Sequence, residues 1–102
     1  MSKKLLRALE KTRPDTPDYL FWCPGCKHGH ALWTTGNNRA NAIWTFNGNE
    51  EHPTFNPSLL NHYPREGEAD HVCHLFVTDG NLVFLGDCTH ELAGRTIPMV
   101  EF

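Results

Sequence analysis

The sequence predicts an α+β fold that is mainly β: a small twisted antiparallel sheet with one short N-terminal helix packed on it. Short runs of β-branched, aromatic and aliphatic residues alternate along the chain with turn signals, which is the pattern of a sheet built from hairpins. Seven prolines and eight glycines in 102 residues are typical of a turn-rich domain with a modest core. The first residues instead follow the spacing of a helix with one apolar side.

The N-terminal segment carries the signals of a short helix. Ser2 is placed to cap a helix over Lys3–Lys11, and Pro14 and Pro17 end it. Charged residues surround most of this helix, and its leucines lie on one side: Leu5, Leu6 and Leu9. A helix this short needs tertiary contacts to persist, so we expect it to cover one face of the sheet.

Several strands are expected on either side of a central hairpin. They are Tyr19–Trp22, His30–Thr34, Ala42–Phe46, Ser58–Tyr63 and, at an edge, Ile97–Phe102. Gly36–Ala40 is expected to form a loop. Pro53 and Pro57 in the PTFNPS run favour extended backbone and argue against a central strand there.

The central hairpin is predicted within Asp70–Gly94. Asp79-Gly80 is a two-residue turn signal between two apolar runs, Leu75–Val77 and Leu82–Leu85. With that tip, the opposed pairs are Thr78 with Asn81, Leu75 with Phe84, and Cys73 with Gly86.

The two arms of this hairpin end in residues that can bind metals. Because side chains alternate between the faces of a strand, Cys73 and Cys88 are expected to lie diagonally on one face. His74 and Asp87 are expected to lie diagonally on the other. This sorting depends on the register, since a slip of one residue exchanges the faces.

The four cysteines can form two disulfides or bind metal, and the rest of the chain favours metal. The N-terminus lacks the apolar core and cleavage site of a secretory signal, and no apolar run reaches transmembrane length. We therefore expect a cytoplasmic protein that does not bind membranes, whose thiols stay reduced. The net charge of −3 argues against a protein that coats nucleic acid by bulk electrostatics.

Cys23-Pro24-Gly25-Cys26 is typical of a zinc knuckle, a tight turn that brings two thiolates to one cation, here at one end of the sheet. Zn²⁺ favours a tetrahedral shell, and the remaining thiolates complete it. The expected closed site is Cys23, Cys26, Cys73 and Cys88. Residues 19–102 then form a single zinc-binding β-rich domain, after an N-terminal helix and extension over residues 1–18.

Other side chains near these cysteines leave alternatives open. His30, His74 or His90 can replace a cysteine as ligand, and a site with an open water position is the catalytic form of zinc. Asp87 can orient an imidazole beside the metal or in catalysis. The candidate catalytic residues are therefore His74, Asp87 and His90. The other histidines are expected to be structural or exposed: His28, His52, His62 and His71.

Known catalytic zinc motifs are incomplete in this chain. His90-Glu91 begins like HExxH, but the next ligand position is Gly94. The deaminase signature needs H-x-E before P-C-x-x-C, and here Pro24 lies inside the cysteine pair. A thioredoxin-like CxxC begins a helix, whereas strands and turns are expected around this one.

The motifs CPGC, WTFNG, PTFNPS, CHLFVTDG and FLGDCTHELAG, in this order, resemble a family of small uncharacterised phage and prophage proteins. Some members carry an ammonia-monooxygenase label, which does not suit this chain because that chemistry belongs to a large membrane copper enzyme. The resemblance runs from about Phe21 to Val100 and implies a phage-encoded or prophage-encoded protein in a bacterial cytoplasm; it does not imply an activity. The family pattern contains Cys23, Cys26, Cys73, His74, Asp87, Cys88 and His90.

The leading functional hypothesis is a zinc-stabilised binding module that acts on a host or phage macromolecule. The closed four-cysteine site and the incomplete catalytic motifs favour it. The alternative is a small zinc-dependent hydrolase or nuclease that uses His74, Asp87 and His90 around an open metal position. A third hypothesis is a weak nucleic-acid binder, whose binding would depend strongly on salt. Whether the partner is protein or nucleic acid, and the oligomeric state, stay open at this point.

Overall fold

The computed structural model describes residues 5–10, 12–35, 43–67 and 69–102, and within them it has two antiparallel sheets and no helix. The first sheet has the order β1-β2-β3, with β1 Leu6–Ala8, β2 Tyr19–Cys23 and β3 His28–Leu32. The second has the order β4-β5-β6-β7-β8, with β4 Thr45–Phe46, β5 Phe55–Tyr63, β6 His71–Thr78, β7 Asn81–Phe84 and β8 Thr96–Pro98. The described segments contain no helix that could span a membrane.

The predicted N-terminal helix is wrong for the described part of Lys3–Lys11, where Leu6–Ala8 forms a strand; Lys3, Lys4 and Lys11 lie outside the described residues. Leu6–Ala8 pairs antiparallel with β2, with Leu6 opposite Phe21. This pairing buries Leu6 to 6% exposure and satisfies backbone groups that a single short helix would leave open to water. The Arg7 guanidinium lies 4.6 Å from the centre of the Phe102 ring, which attaches the strand to the C-terminus.

The β2–β3 hairpin encloses the two cysteines of the knuckle. The expected strand over Tyr19–Trp22 is confirmed and extends to Cys23, which pairs with His28. The second strand begins at His28 rather than at His30, because the turn is tight: Lys27 N–H donates to the Cys23 carbonyl at 2.7 Å, and Lys27 has a φ of 61°. The loop predicted over Gly36–Ala40 lies outside the described residues.

The central hairpin has the predicted tip, and the predicted register holds as far as Phe84, where β7 ends; the expected pair of Cys73 with Gly86 is therefore not part of the ladder. Thr78 pairs with Asn81 and Leu75 pairs with Phe84. Gly80, with a φ of 77°, supplies the left-handed conformation that this tight turn needs. The predicted edge strand is confirmed in part, since β8 pairs with β7 at the edge but covers only Thr96–Pro98.

The expectation that the prolines exclude a central strand is wrong for Pro57. It lies in β5, between β4 and β6. The register of β5 against β6 shifts between Phe55, opposite Val77, and Leu59, opposite Leu75. Residues 56–58 therefore face one residue of β6, and this bulge accommodates a proline because the ladder is interrupted there.

Both sheets contribute to one hydrophobic core. Phe21, Cys23 and Leu32 of the first sheet belong to the same buried cluster as Phe55 and Leu75 of the second. In β6 the alternation is regular, with buried side chains at residues 73, 75 and 77 and half-buried ones at 72, 74 and 76. Cys73 therefore points into the core, and its neighbour His74 points to the opposite face.

Candidate functional site

Three polar side chains meet on the outer face of the second sheet. His74 Nε2 lies 3.0 Å from the Ser58 hydroxyl oxygen, and His74 Nδ1 lies 3.0 Å from Asp87 Oδ2. A carboxylate can only accept, so Nδ1–H donates to Asp87 and Nε2 is free to accept from the Ser58 hydroxyl. Ser58, His74 and Asp87 thus have the connectivity of a Ser-His-Asp triad.

Local backbone features bring these residues together. Leu60 pairs with His74 across the strands, so Ser58, two residues earlier, lies diagonal to His74 on the same face. Ser58 follows Pro57 at the end of the β5 bulge, a feature that re-aims side chains next to active sites. The Ser58 carbonyl accepts from Trp44 Nε1 at 3.4 Å, which attaches this position to the core.

The triad is open to solvent. The side chain of His74 is 25% exposed and that of Asp87 is 56% exposed, and Ser58 is half-buried. A substrate can therefore reach the hydroxyl without a rearrangement of the core. Chemically, such a group transfers an acyl unit to the serine oxygen while the imidazole holds the proton.

On the inner face of the same sheet, Cys23, Cys26, Cys73 and His90 form a second group. Their ligand atoms all lie within 4.8 Å of one another. The Cys23 and Cys73 Sγ atoms are 3.9 Å apart, and His90 Nε2 is 3.3 Å from Cys73 Sγ. A tetrahedral Zn²⁺ with ordinary bond lengths requires separations of about 3.8 Å and about 3.6 Å for such pairs. This group can hold a metal ion.

The knuckle has the local geometry of a metal turn. The Cys26 N–H donates to Cys23 Sγ at 3.4 Å, a bond that stabilises a thiolate. At Gly25 there is no room for a side chain, because a Cβ would lie 2.4–2.6 Å from three atoms of the His90 ring. Glycine at this position is what lets the imidazole approach the cysteines.

Because the three thiols lie close together, their pKa values move in opposite directions: that of Cys23 falls, and those of Cys26 and Cys73 rise. A hydrogen bond from the Cys73 thiol lowers the pKa of Cys23 to about 3, and donating that bond raises the pKa of Cys73. Burial, with the charge of the neighbouring Cys23, raises the pKa of Cys26 to about 12. One thiolate is therefore easily formed, and a bound dication would supply the charge that the other two need in order to ionise.

Two more histidines border the cysteine group. His30 is only 2% exposed; its Nδ1 lies 2.9 Å from Asn61 Nδ2, and its buried Nε2 has no hydrogen-bond partner among the residues that the structure describes. Its ring is near enough to help lower the pKa of Cys23. His71, which the sequence treats as ordinary, has its Nε2 3.1 Å from Cys26 Sγ. Desolvation, with the nearby Arg65 guanidinium, lowers the pKa of His71 and favours its neutral form.

Cys88 makes different contacts from the other three cysteines. Its Sγ lies 3.2 Å from both the backbone N and the backbone O of His74. The thiol accepts from the one and donates to the other, which fixes the residue after Asp87 against β6. Cys88 is not in the group of four, whereas His90, an alternative ligand on sequence grounds, is.

The structure thus divides the predicted site residues between two places. His74 and Asp87 meet as expected, but His90 bonds to Cys73, and no hydrogen bond among the described residues links it to either of them. Sequence reasoning missed Ser58. One signal was available, since the chain has only two serines, Ser2 and Ser58, and the second ends the PTFNPS motif.

Comparisons with known proteins give one match. The model of a family described as BubE, bacterial ubiquitination-like system serine protease, matches residues 3–85. No curated protein and no solved structure matches the chain. The matched range includes Ser58 and His74 and ends two residues before Asp87.

Proposed function

The chain belongs to the BubE family of bacterial ubiquitination-like system serine proteases, and from this premise we propose that it is a serine protease whose triad is Ser58, His74 and Asp87. The observation that carries the proposal is the pair of 3.0 Å contacts made by the two nitrogens of His74. The only other serine is Ser2.

The proposed reaction is acyl transfer through the serine. Ser58 Oγ forms a bond to the scissile carbonyl carbon while His74 Nε2 takes the hydroxyl proton. When the C–N bond breaks, the same proton goes to the leaving amine, and an acyl-serine remains. A water molecule then attacks the acyl carbon while His74 Nε2 takes its proton. The ester bond to Ser58 Oγ breaks, the proton returns to Ser58 Oγ, and the carboxylic acid is released. Asp87 keeps Nδ1 protonated and balances the imidazolium that forms.

The substrate class follows from the family rather than from the geometry. We propose that the scissile bond belongs to a protein of a bacterial ubiquitination-like system. The open position of the triad suits a protein substrate, because an extended segment can lie across an exposed sheet face. An origin in a phage or prophage and a cytoplasmic location stay predictions from the sequence.

We also propose that Cys23, Cys26, Cys73 and His90 hold one Zn²⁺ with a structural role. The donor set, the thiol separations and the N–H bond to Cys23 suit it. Binding through Nε2 requires the ring proton of His90 on Nδ1, so the present 3.2 Å contact of that atom with Leu92 N–H must be given up. A zinc-dependent hydrolase has less support, because His90 lies with the cysteines rather than with Asp87.

The test is covalent labelling of the folded protein with a fluorophosphonate, which forms an O–P bond to an activated serine and releases fluoride. We expect one adduct, on Ser58, found by peptide mass spectrometry. Ser58→Ala should remove labelling and lower kcat on an activated ester by about three to six orders of magnitude. Ser2→Ala, which changes the only other serine, is the matched control and should label normally. Ester hydrolysis by Ser58→Ala at the wild-type rate would refute the proposal.

A further inference from the structure

Two short segments each carry one residue of the triad and one of the cysteine group. In β6, Cys73 and His74 are neighbours on opposite faces. In residues 85–94, which we call the acid turn, Asp87 contacts His74 while His90 contacts Cys73. Side-chain contacts therefore join the same pair of segments on both faces of the sheet.

The acid turn has little structure of its own. It contains no strand or helix, and its internal backbone bonds are few, such as Gly94 N–H to the Leu85 carbonyl at 3.3 Å. Asp87 is 56% exposed, so no packing fixes its carboxylate. Its position depends on how the turn is attached to β6. Several attachments lie near His74: Leu85 N–H to the His74 carbonyl at 2.9 Å, the Cys88 thiol, Thr89 N–H to the Val72 carbonyl at 2.9 Å, and Val72 N–H to the Thr89 hydroxyl at 2.9 Å.

A further attachment is the one through His90. A bond network through a metal is stiffer and more directional than the present 3.3 Å contact between His90 Nε2 and Cys73 Sγ. It would fix the acid turn to β6 and, through Cys23 and Cys26, to the first sheet. The ring of His90 lies directly against Gly25, so the turn that carries the cysteines also contacts the acid turn.

We infer that a metal ion held by Cys23, Cys26, Cys73 and His90 is a positioning cofactor for the triad, because it holds the acid turn so that Asp87 stays on His74. The inference rests on the proposed function. The metal contacts no reacting atom in this scheme. Its effect is therefore on kcat, through the orientation of the imidazole, and KM for a small ester should change little.

The decisive variant is His90→Ala in the full chain. The three thiolates can still hold a metal, with water as the fourth ligand, but the link to the acid turn is cut. We expect Co²⁺ titration to show thiolate-to-cobalt absorption in this variant, with kcat on an activated ester lowered about 10- to 100-fold. His90→Cys is the matched control: it restores a ligand on the turn, and kcat should return to within about tenfold of wild type.

A second readout does not depend on turnover. The proton on His74 Nδ1, shielded from exchange by Asp87, should give a downfield NMR signal in the wild type and in His90→Cys, and should broaden in His90→Ala. A metal-loaded His90→Ala protein with wild-type kcat and an unchanged signal would overturn the inference. If His90→Ala does not fold, His90→Cys decides: metal binding without activity contradicts the inference, and metal binding with activity supports it.

The two proposals fail in different ways. Absence of a serine adduct in the metal-loaded wild type would refute the protease and leave metal binding intact. Absence of thiolate-to-cobalt absorption in Ser58→Ala, which keeps the whole cysteine group, would refute the metal site and leave the serine chemistry to be judged by labelling.

Discussion

Ser58 owes its place beside His74 to one irregularity in β5. Three residues, 56–58, stand opposite a single residue of β6, and Ser58 is the last of them. Beyond the bulge the pairing is regular again, with Leu60 opposite His74. The backbone of Ser58 is constrained by the bulge that precedes it and by the regular strand pairing that follows it. This is how a half-exposed hydroxyl can keep one orientation.

Cys88 gives a prediction at the scale of one side chain. We expect Cys88→Ala to keep full metal content, because its thiol bonds to the backbone of His74 rather than to the cysteine group. The same variant should lower kcat on an activated ester by roughly tenfold, since β6 loses one attachment to the residue after Asp87. Metal analysis by mass spectrometry and ester kinetics measure the two effects. Loss of metal in Cys88→Ala to the same extent as in Cys73→Ser would restore the four-cysteine site that the sequence predicts.

At the scale of elements, the β2–β3 turn and the acid turn fit together through a glycine. The turn from Cys23 to Lys27 is closed by a 2.7 Å backbone bond and a left-handed Lys27. It places Gly25 so close to the ring of His90 that a Cβ at this position would lie 2.4–2.6 Å from three ring atoms. A hairpin turn of the first sheet thus limits where His90 of the acid turn can lie.

The matching prediction compares two glycines. Gly25→Ala should weaken Co²⁺ binding by roughly 10- to 100-fold, because the added methyl displaces His90 from the cysteines. Gly86→Ala is the control, since a Cβ there meets no atom within 4 Å. Competition with a chelator of known affinity measures both constants. Equal affinities in the two variants would show that His90 is not a ligand.

At the scale of the whole molecule, the cysteine group joins the two sheets. Cys23 ends β2 of the first sheet, and Cys73 lies in β6 of the second. A chain of 102 residues has a modest core, so a cross-link at this place stabilises the packing of one sheet on the other.

Metal removal should therefore lower the stability of the entire fold. We expect chelation to reduce the free energy of unfolding by about 3 kcal/mol or more, and hence the Tm by roughly 10–20 °C, because the ion binds the folded state alone. Calorimetry of the loaded and the chelated protein measures this. Cys26→Ser should reproduce the loss, since it removes a ligand of the knuckle. An unchanged Tm after the metal has been stripped would show that the ion has no structural role.

The sequence by itself determined the features that rest on local chemistry. The Asp79-Gly80 turn and the period of two in a strand are enough to set the register of the β6–β7 hairpin and to send Cys73 and His74 to opposite faces. The knuckle follows likewise from four consecutive residues. The contact of His74 with Asp87 agrees with the predicted sorting of faces, although Asp87 lies beyond the end of β7.

Only the tertiary structure decided the rest, because the deciding contacts join distant parts of the chain. Pairing with β2 makes a strand of the segment around Leu6, whose local spacing favours a helix. The bulge that aims Ser58 arises where β5 meets β6, and a turn-forming proline gives no sign of it. His90 rather than Cys88 joins the cysteine group because the acid turn leaves the strand pattern after β7, so alternation no longer predicts which way a side chain points.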